Sequence, residues 1–447
     1  MRKHAWTLVA LAVVAALLLD ACAPTPTPAP TPAPAATQVP AAATKAPQPT
    51  AAPKASVINI VHYFSAELGL KGMTQIFTSF NAANPQYKVV DNTTGHEDFK
   101  TQILVMLAGD NPPDIFSYWE GARTQFVVDS GRLQSLDQFW ADNKLDEIIP
   151  ASVKAAGMHN GHIYAIPMNV HIVGFFYNPR VMEKAGVKET PNTWEELLAA
   201  CEKIKAAGAA PFALGSKNRW PAQYWFDYTV SRTAGPEYRE KLMAGKAAYT
   251  DPEVVKAMEL WKTLVDKGYF VKDANAYDWT DAADQVAKGQ AAMTLMGTWI
   301  CGYWDSNGLK AGTDYDFFPF PLVDPKVPVA VHGTVDGWEI PANSKNPEGA
   351  KALILHMLKP DNQALWAKAQ GALAAVKNVP ADTYSSVQKK CADYLGTVQF
   401  LGGYDLSTTP PMAEGGLDMF AKFMNDTSKY KDYLKETEAV AKNVFKK

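Results

Sequence analysis

The residues in this chain that could do chemistry are flat rings and planar acids, set where predicted strands end. Tyr63 and Phe64 close one such strand, and Trp119 and Glu120 close another. Trp299 follows Gly297 and Thr298 at the end of a third, and Trp279 sits beside Asp278 in a turn-like setting. Ring faces cover C–H patches, while planar acids, amides and guanidinium groups pair with neighbouring hydroxyls. The combination suits a polyhydroxylated ligand. A single tryptophan more often packs a core, but several of the 12 here lie beside Gly, Asp, Asn or Arg outside any amphipathic period. Hydrolysis is the competing chemistry. Two of Glu120, Asp336 and Glu414 could form a glycosidase carboxylate pair, although spacing along the chain does not set their separation. No Gly-x-Ser-x-Gly elbow and no Gly-x-x-x-x-Gly-Lys phosphate loop is present. His159 and His162 offer two metal ligands on a turn without a clear third, which reads as a pair of exposed histidines. No metal and no cofactor is expected.

The elements that must hold these groups follow from apolar periodicity. Residues 56–64 alternate as a strand. A helix over 70–83 carries Met73, Ile76, Phe77 and Phe80 on one face and stops at Asn84-Pro85. A strand over 87–90, a helix over 96–107 with Phe99, Ile103, Met106 and Leu107 as its stripe, and a strand over 114–119 complete a β-α-β-α-β pattern. That pattern implies a parallel sheet, whose ligands bind beyond the carboxyl ends of the strands. Residues 161–178 then read as two extended apolar segments separated by Asn169 and His171. The break marks either a crossing into a second α/β lobe, with both polar groups facing the cleft between lobes, or a β-bulge within one sheet with His171 a satisfied core residue. Thr193 and Glu196 form a capping box for the next helix. A strand over 211–215 runs into a polar, aromatic loop at 216–221 and a helix bearing Tyr224, Trp225 and Tyr228. Further helices are expected over 252–267, 281–288, 344–358, 361–369, 416–424 and 430–445, and strands over 291–296, 314–320 and 337–341.

The termini and composition bound the setting. Residues 1–4 are basic and 5–19 apolar, a signal-peptide pattern too short for a comfortable membrane span. The segment ends Leu19-Asp20-Ala21-Cys22, which resembles the lipobox of bacterial lipoproteins, with Asp20 departing from the pattern. Residues 1–21 thus read as a signal peptide and Cys22 as the lipidated residue; an ordinary secretory signal, cleaved nearby, would leave Cys22 incidental. Residues 22–54, rich in Pro, Ala and Thr, cannot bury enough surface to offset chain entropy and read as an extended tether. The formal net charge of −3 and the absence of a basic, aromatic-interleaved patch argue against a nucleic-acid partner. Cys201, Cys301 and Cys391 are far apart and odd in number, so buried thiols are favoured over a disulfide framework.

Six stretches in order resemble the extracellular solute-binding proteins of bacterial ABC importers, in the carbohydrate-binding group that includes maltose-binding protein. They are FNAANP at 80–85, LAGDNPPDIF at 107–116, residues 163–179, TWEEL at 193–197, KGQAAMTLMGTW at 288–299 and DGWEIPANSKN at 336–346. The resemblance implies an α/β, two-lobed periplasmic-binding-protein fold with a multi-strand hinge and a ligand cleft between lobes. It implies lobe one at 57–170 plus 334–385 and lobe two at 171–333 plus 386–447. It also implies a sugar ligand, mono- or oligosaccharide, passed without chemical change to the transmembrane subunits of an ABC permease. The receptor would be a monomer, held by lipid at the outer face of the cell membrane or free in the periplasm. By family position the ligand contacts would include Trp119 with Glu120, and Asn169 with His171, while Tyr63 or Phe64 should face the cleft from the end of the first strand. Arg219, Trp220 and Trp225 would follow, then Trp299 as the stacking ring, Asp336 with Trp338, and Glu414, while Trp279 is a further candidate from its place beside Asp278. Arg219 stands where the family has an acid, and it keeps a phosphodiester ligand in play. A polyamine ligand, a glycoside hydrolase and a surface adhesion module also compete with the sugar receptor.

Overall fold

Residues 55–446 are described by a computed structural model. The expected signal peptide, Cys22 and tether lie outside the described residues. The chain begins with strand β1 (Ser56–His62), helix α1 (Glu67–Ala83), strand β2 (Tyr87–Thr93), helix α2 (His96–Ala108) and strand β3 (Ile115–Trp119). Both β2 and β3 pair with β1 in parallel, as the β-α-β-α-β pattern requires. Helix α1 buries Met73, Ile76, Phe77 and Phe80 and ends before Pro85, which lacks an N–H and disfavours helix at the residue before it. Helix α2 buries Phe99, Ile103 and Leu107, but Met106 is only half-buried. Helix α3 (Ala122–Asp129) follows β3 directly.

The stretch expected as two segments is one 13-residue strand, β4 (Ala165–Tyr177), buried along almost its whole length. The polar pair does not break it because both side chains find partners, Asn169 on Asp336 and His171 on Thr298. Bulge and crossing turn out to coexist. Register slips at Met168, opposite the step from Asp336 to Gly337. Ile166 and Met168 pack into one apolar core, whereas Val170 to Phe176 pack into another. Strand β5 (Ala210–Phe212), helix α4 (Gln223–Ala234), helix α5 (Trp279–Ala287) and strand β6 (Ala291–Gly297) build the second half.

Helix α6 (Trp299–Ser306) starts where the sequence reading ended a strand and anticipated no helix. Strand β7 (Ala330–Glu339) starts well before the expected 337, because its first half gains a partner 69 residues on, at Gln399–Gly402. Helix α7 (Pro360–Gln370) and a short turn of helix, α8 (Tyr404–Ser407), complete what the site needs. The sheet runs β2-β1-β3-β7-β4-β6-β5, so the antiparallel pair β4 and β7 lies at its middle and joins the two halves. Of the two histidines expected on an exposed turn, His162 is exposed, but His159 is buried, with Nε2 3.8 Å from Glu120. Cys201, Cys301 and Cys391 are free and buried. No helix among the described residues is long and apolar enough to cross a membrane.

Candidate functional site

A cavity of about 360 Å³ opens over the β4–β7 pair. Its floor is built on Asp336, which β7 places opposite Trp119 of β3 and Asn169 of β4. The Tyr63 hydroxyl donates to Asp336 Oδ1 at 2.5 Å, and the Asn169 amide donates to Oδ2 at 2.6 Å. Trp366 Nε1 donates to Asn169 Oδ1 at 2.7 Å and so fixes which way that amide points. Burial pushes the Asp336 carboxyl up to about 6. His171 Nε2 lies 3.6 Å from Asp336, and its Nδ1 is 2.8 Å from the Thr298 hydroxyl. Burial drives the His171 ring down to about 3, so it is neutral at physiological pH.

One wall comes from the first core. Tyr63 stacks on Trp119 with centroids 4.2 Å apart, and the Arg123 guanidinium lies over the same indole at 5.8 Å. Tyr63 therefore covers a face of Trp119, and Arg123 packs against the same indole. Arg123 is itself paired with Asp405 of α8 at 3.1 Å. The other wall carries Trp220, Tyr224, Trp279 and Trp299. The Trp299 ring is half-buried and meets His171 and Trp220 edge-on, at 5.3 and 5.8 Å. It fills the space beside Gly297, where a Cβ would come within 2.0 Å of Cζ3. The walls meet at one flank, where Trp220 Nε1 donates to Glu97 Oε1 at 3.2 Å. Burial would raise the Glu97 carboxyl, but His96 and Lys100 outweigh it and hold Glu97 down to about 2.

Of the residues expected from sequence, Tyr63, Phe64, Trp119, His171, Trp220, Trp279, Trp299 and Asp336 line this cavity. Six do not. Asn169 is fully buried and acts on the cavity through Asp336. Glu120 follows Trp119, and successive side chains at a strand end point to opposite sides. Its carboxylate is buried against Gly337, where burial and Asp336 push it well above the usual range. Trp225 is fully buried in the second core, edge-on to Phe212 at 4.9 Å. On helix α4 a step of one residue turns the side chain by about 100°, so Tyr224 faces the cavity and Trp225 the core. Trp338 shares the β7 face of Asp336 but lies two residues further along, capped by Phe64. Arg219 pairs with Glu414 at 2.7 Å and Asp418 at 2.5 Å on the outer surface, which removes both Arg219 and Glu414 from the cavity.

Sequence reasoning missed Arg123, Tyr224, Thr334, Gln370 and Asp405 as lining residues. A helix-phase count could have exchanged Tyr224 for Trp225. Arg123 and Asp405 are 282 residues apart, and nothing local couples them.

An ABC transporter extracellular-binding protein of Pyrococcus horikoshii is 28% identical over 377 residues, 83% of this chain and 82% of that protein. A protein of Mesorhizobium japonicum described as a probable sugar-binding periplasmic protein is 27% identical over 347 residues, 76% of this chain and 81% of its own length. Among solved structures, the bacterial solute receptor AcbH, described as having an exclusive preference for β-D-galactopyranose, superposes with a TM-score of 0.82 at 27% identity. The match covers 88% of this chain and all of that one. A chitin oligosaccharide binding protein superposes with a TM-score of 0.80 at 21% identity, over 88% of this chain and all of that one, and supports the same two-lobed α/β fold. The family model for bacterial extracellular solute-binding proteins matches residues 66–364, and the chain belongs to that family.

Proposed function

We propose that this protein captures a sugar in the cavity between its two halves and delivers it unaltered to an ABC permease. The observation that carries the reading is Asp336. It is a buried carboxylate at the floor of an aromatic cavity, and Tyr63 and Asn169 use only one acceptor position on each of its oxygens. The remaining positions suit two neighbouring hydroxyls of a pyranose, with the Trp299 ring beneath its C–H face and Trp119 and Trp220 around it. The names of two relatives, one for β-D-galactopyranose and one for sugars, support this class of ligand.

A phosphodiester would want an unengaged cation. Arg219 is held by Glu414 and Asp418, Arg123 by Asp405, and Lys100 by Glu97. A polyamine would want several unengaged acids, and Asp405 is already paired. Of the carboxylates that could join Asp336 in hydrolysis, Glu120 and Glu414 do not line the cavity, and Asp405, which does, is paired with Arg123. In this reading the lobes divide at 57–170 plus 334–385 and 171–333 plus 386–447. They close by bending at β4 and β7, and sugar contacts to both lobes stabilise the closed form. The monomer, the lipid at Cys22 and the outer membrane face belong to the same proposal. A thermal-shift screen against mono- and disaccharides, with the sugars analysed afterwards, tests it. A raised midpoint with the sugar recovered intact is expected. A shift only with phosphodiesters or polyamines would overturn the ligand class, and release of new reducing ends would overturn the receptor role.

A further inference from the structure

We propose that Arg219 is a positioning residue for sugar capture: from outside the cavity it holds a strained turn that aims Trp220 across the cleft at Glu97. The inference rests on the sugar reading and adds to it the part that keeps one flank of the cavity shut. It starts from the backbone. Arg219 has φ +61° and ψ −37°, and the Trp220 N–H donates to the Asn218 carbonyl oxygen at 2.7 Å. A hydrogen bond across a single residue of positive φ and negative ψ makes a tight three-residue turn, which is rare and strained. Lys144 and Asp273 also have positive φ, but ψ values of 42° and 41° keep them in the ordinary left-handed well. Arg219 has left that well, so its surroundings must hold it there.

What holds it is its own side chain. Helix α9 (Pro410–Asn425) carries Glu414 and Asp418 one turn apart on one face. The two terminal guanidinium nitrogens of Arg219 divide between them, one donating to Glu414 at 2.7 Å and the other to Asp418 at 2.5 Å. The Ser216 hydroxyl adds a bond to the Arg219 carbonyl oxygen at 3.2 Å. A glycine would fit this backbone without cost but would give up both ion pairs, so what the arginine adds is an anchor.

The consequence falls on Trp220, the next residue. Its indole N–H donates to Glu97 Oε1 at 3.2 Å, and its ring meets His96 at 6.1 Å and Trp299 at 5.8 Å. Glu97 and His96 stand on α2 in the first half, whereas Trp220 packs with the second core, so one indole ties both halves at that flank. Glu97 stays ionised, which makes it the stronger kind of acceptor. A turn ordered before the sugar arrives gives up little entropy when the halves close. A relaxed turn would withdraw the N–H from Glu97 and open the flank, so bound sugar would leave faster.

Stopped-flow fluorescence and calorimetric titration with galactose, glucose, xylose and their β-linked disaccharides test the inference on the sugar that binds. Arg219→Ala, which keeps the strain and loses the anchor, should speed dissociation and weaken affinity about tenfold, as expected for one hydrogen bond to a charged group. Arg219→Gly, which fits the turn without an anchor, should recover most of that loss. Glu414→Gln with Asp418→Asn leaves Arg219 and Trp220 in place, guards against misfolding of the first variant, and should weaken affinity as Arg219→Ala does. In a Trp220→Phe background, which lacks the indole N–H, Arg219→Ala should change the dissociation rate by less than about twofold. Unchanged affinity in Arg219→Ala or in the variant lacking both acids would overturn the positioning role and leave the sugar reading intact. So would an Arg219→Gly protein as weak as Arg219→Ala, or a full effect of Arg219→Ala on top of Trp220→Phe. Failure of the unaltered protein to bind any of these sugars would overturn the sugar reading, and the inference with it.

Discussion

Replacing Asp336 by Asn separates stability from binding in a way that few residues here would. The carboxylate accepts from Tyr63 on one oxygen and from Asn169 on the other. An Asn side chain can keep its carbonyl oxygen toward Asn169 and turn its amide toward the Tyr63 oxygen, so both contacts survive. What disappears is the buried charge. Burial raises the Asp336 carboxyl from 3.8 to about 6, so the folded state holds the proton more tightly than the unfolded chain. Stability contributed by this group is therefore highest below its unfolded value and is lost as pH rises toward 6. Above pH 6 the substitution removes a penalty of at most about 3 kcal/mol, partly offset by two weaker, neutral hydrogen bonds. The melting temperature of Asp336→Asn at pH 7.5 should equal or exceed that of the unaltered protein. Affinity should move the other way. A hydroxyl bound to an ionised acceptor contributes about 1.5–3 kcal/mol, so losing that acceptor lowers sugar affinity about ten- to hundredfold. Scanning fluorimetry and calorimetric titration on the same preparation read both quantities. Affinity within about threefold of the unaltered protein would refute the assignment of Asp336 as the hydroxyl acceptor.

Three further outcomes follow from the same geometry. Sugar affinity should fall about tenfold from pH 7 to pH 5 as Asp336 protonates, with His171 contributing nothing because it stays neutral down to about 3. Titrations across that range in both the unaltered protein and Asp336→Asn check this, and the variant should show a flat profile. Gly297→Ala should displace the Trp299 ring, since the added carbon would sit 2.0 Å from it, and binding should be lost with Trp299 still present. Tryptophan fluorescence with and without sugar reads that change, and unaltered quenching would exclude it. Trp225→Ala should destabilise the fold by about 3–5 kcal/mol, measured by denaturant unfolding, because it empties a fully buried site in the second core.

Local signals carried the scaffold well. The stripe of α1, the Asn84-Pro85 stop and the Thr193–Glu196 capping box are each set by residues within a turn or two of one another, and each forms as read. The site was legible where it depends on strand ends, as at Trp119 and Trp299, and also at Asp336, which lies inside β7 and not at its end. It was not legible where side-chain direction decides. Tyr224 and Trp225 are adjacent and equally aromatic, and only the packing of α4 against the second core decides which one meets the cavity. Trp119 and Glu120 part company at the end of β3 for a similar reason. Arg219 looked available because its partners, Glu414 and Asp418, come from a helix some two hundred residues away. The unbroken β4 was hidden by Asn169 and His171, whose partners lie on β7 and at the start of α6.

The central claim is that this cavity holds a sugar and does no chemistry on it. Calorimetric titration of the protein with the mono- and disaccharide panel, followed by chromatography of the recovered sugar, tests it most directly. The account predicts saturable one-to-one binding of at least one sugar, returned intact and with its affinity cut in Asp336→Asn. Absence of binding across the panel, or appearance of shorter sugars, would contradict it.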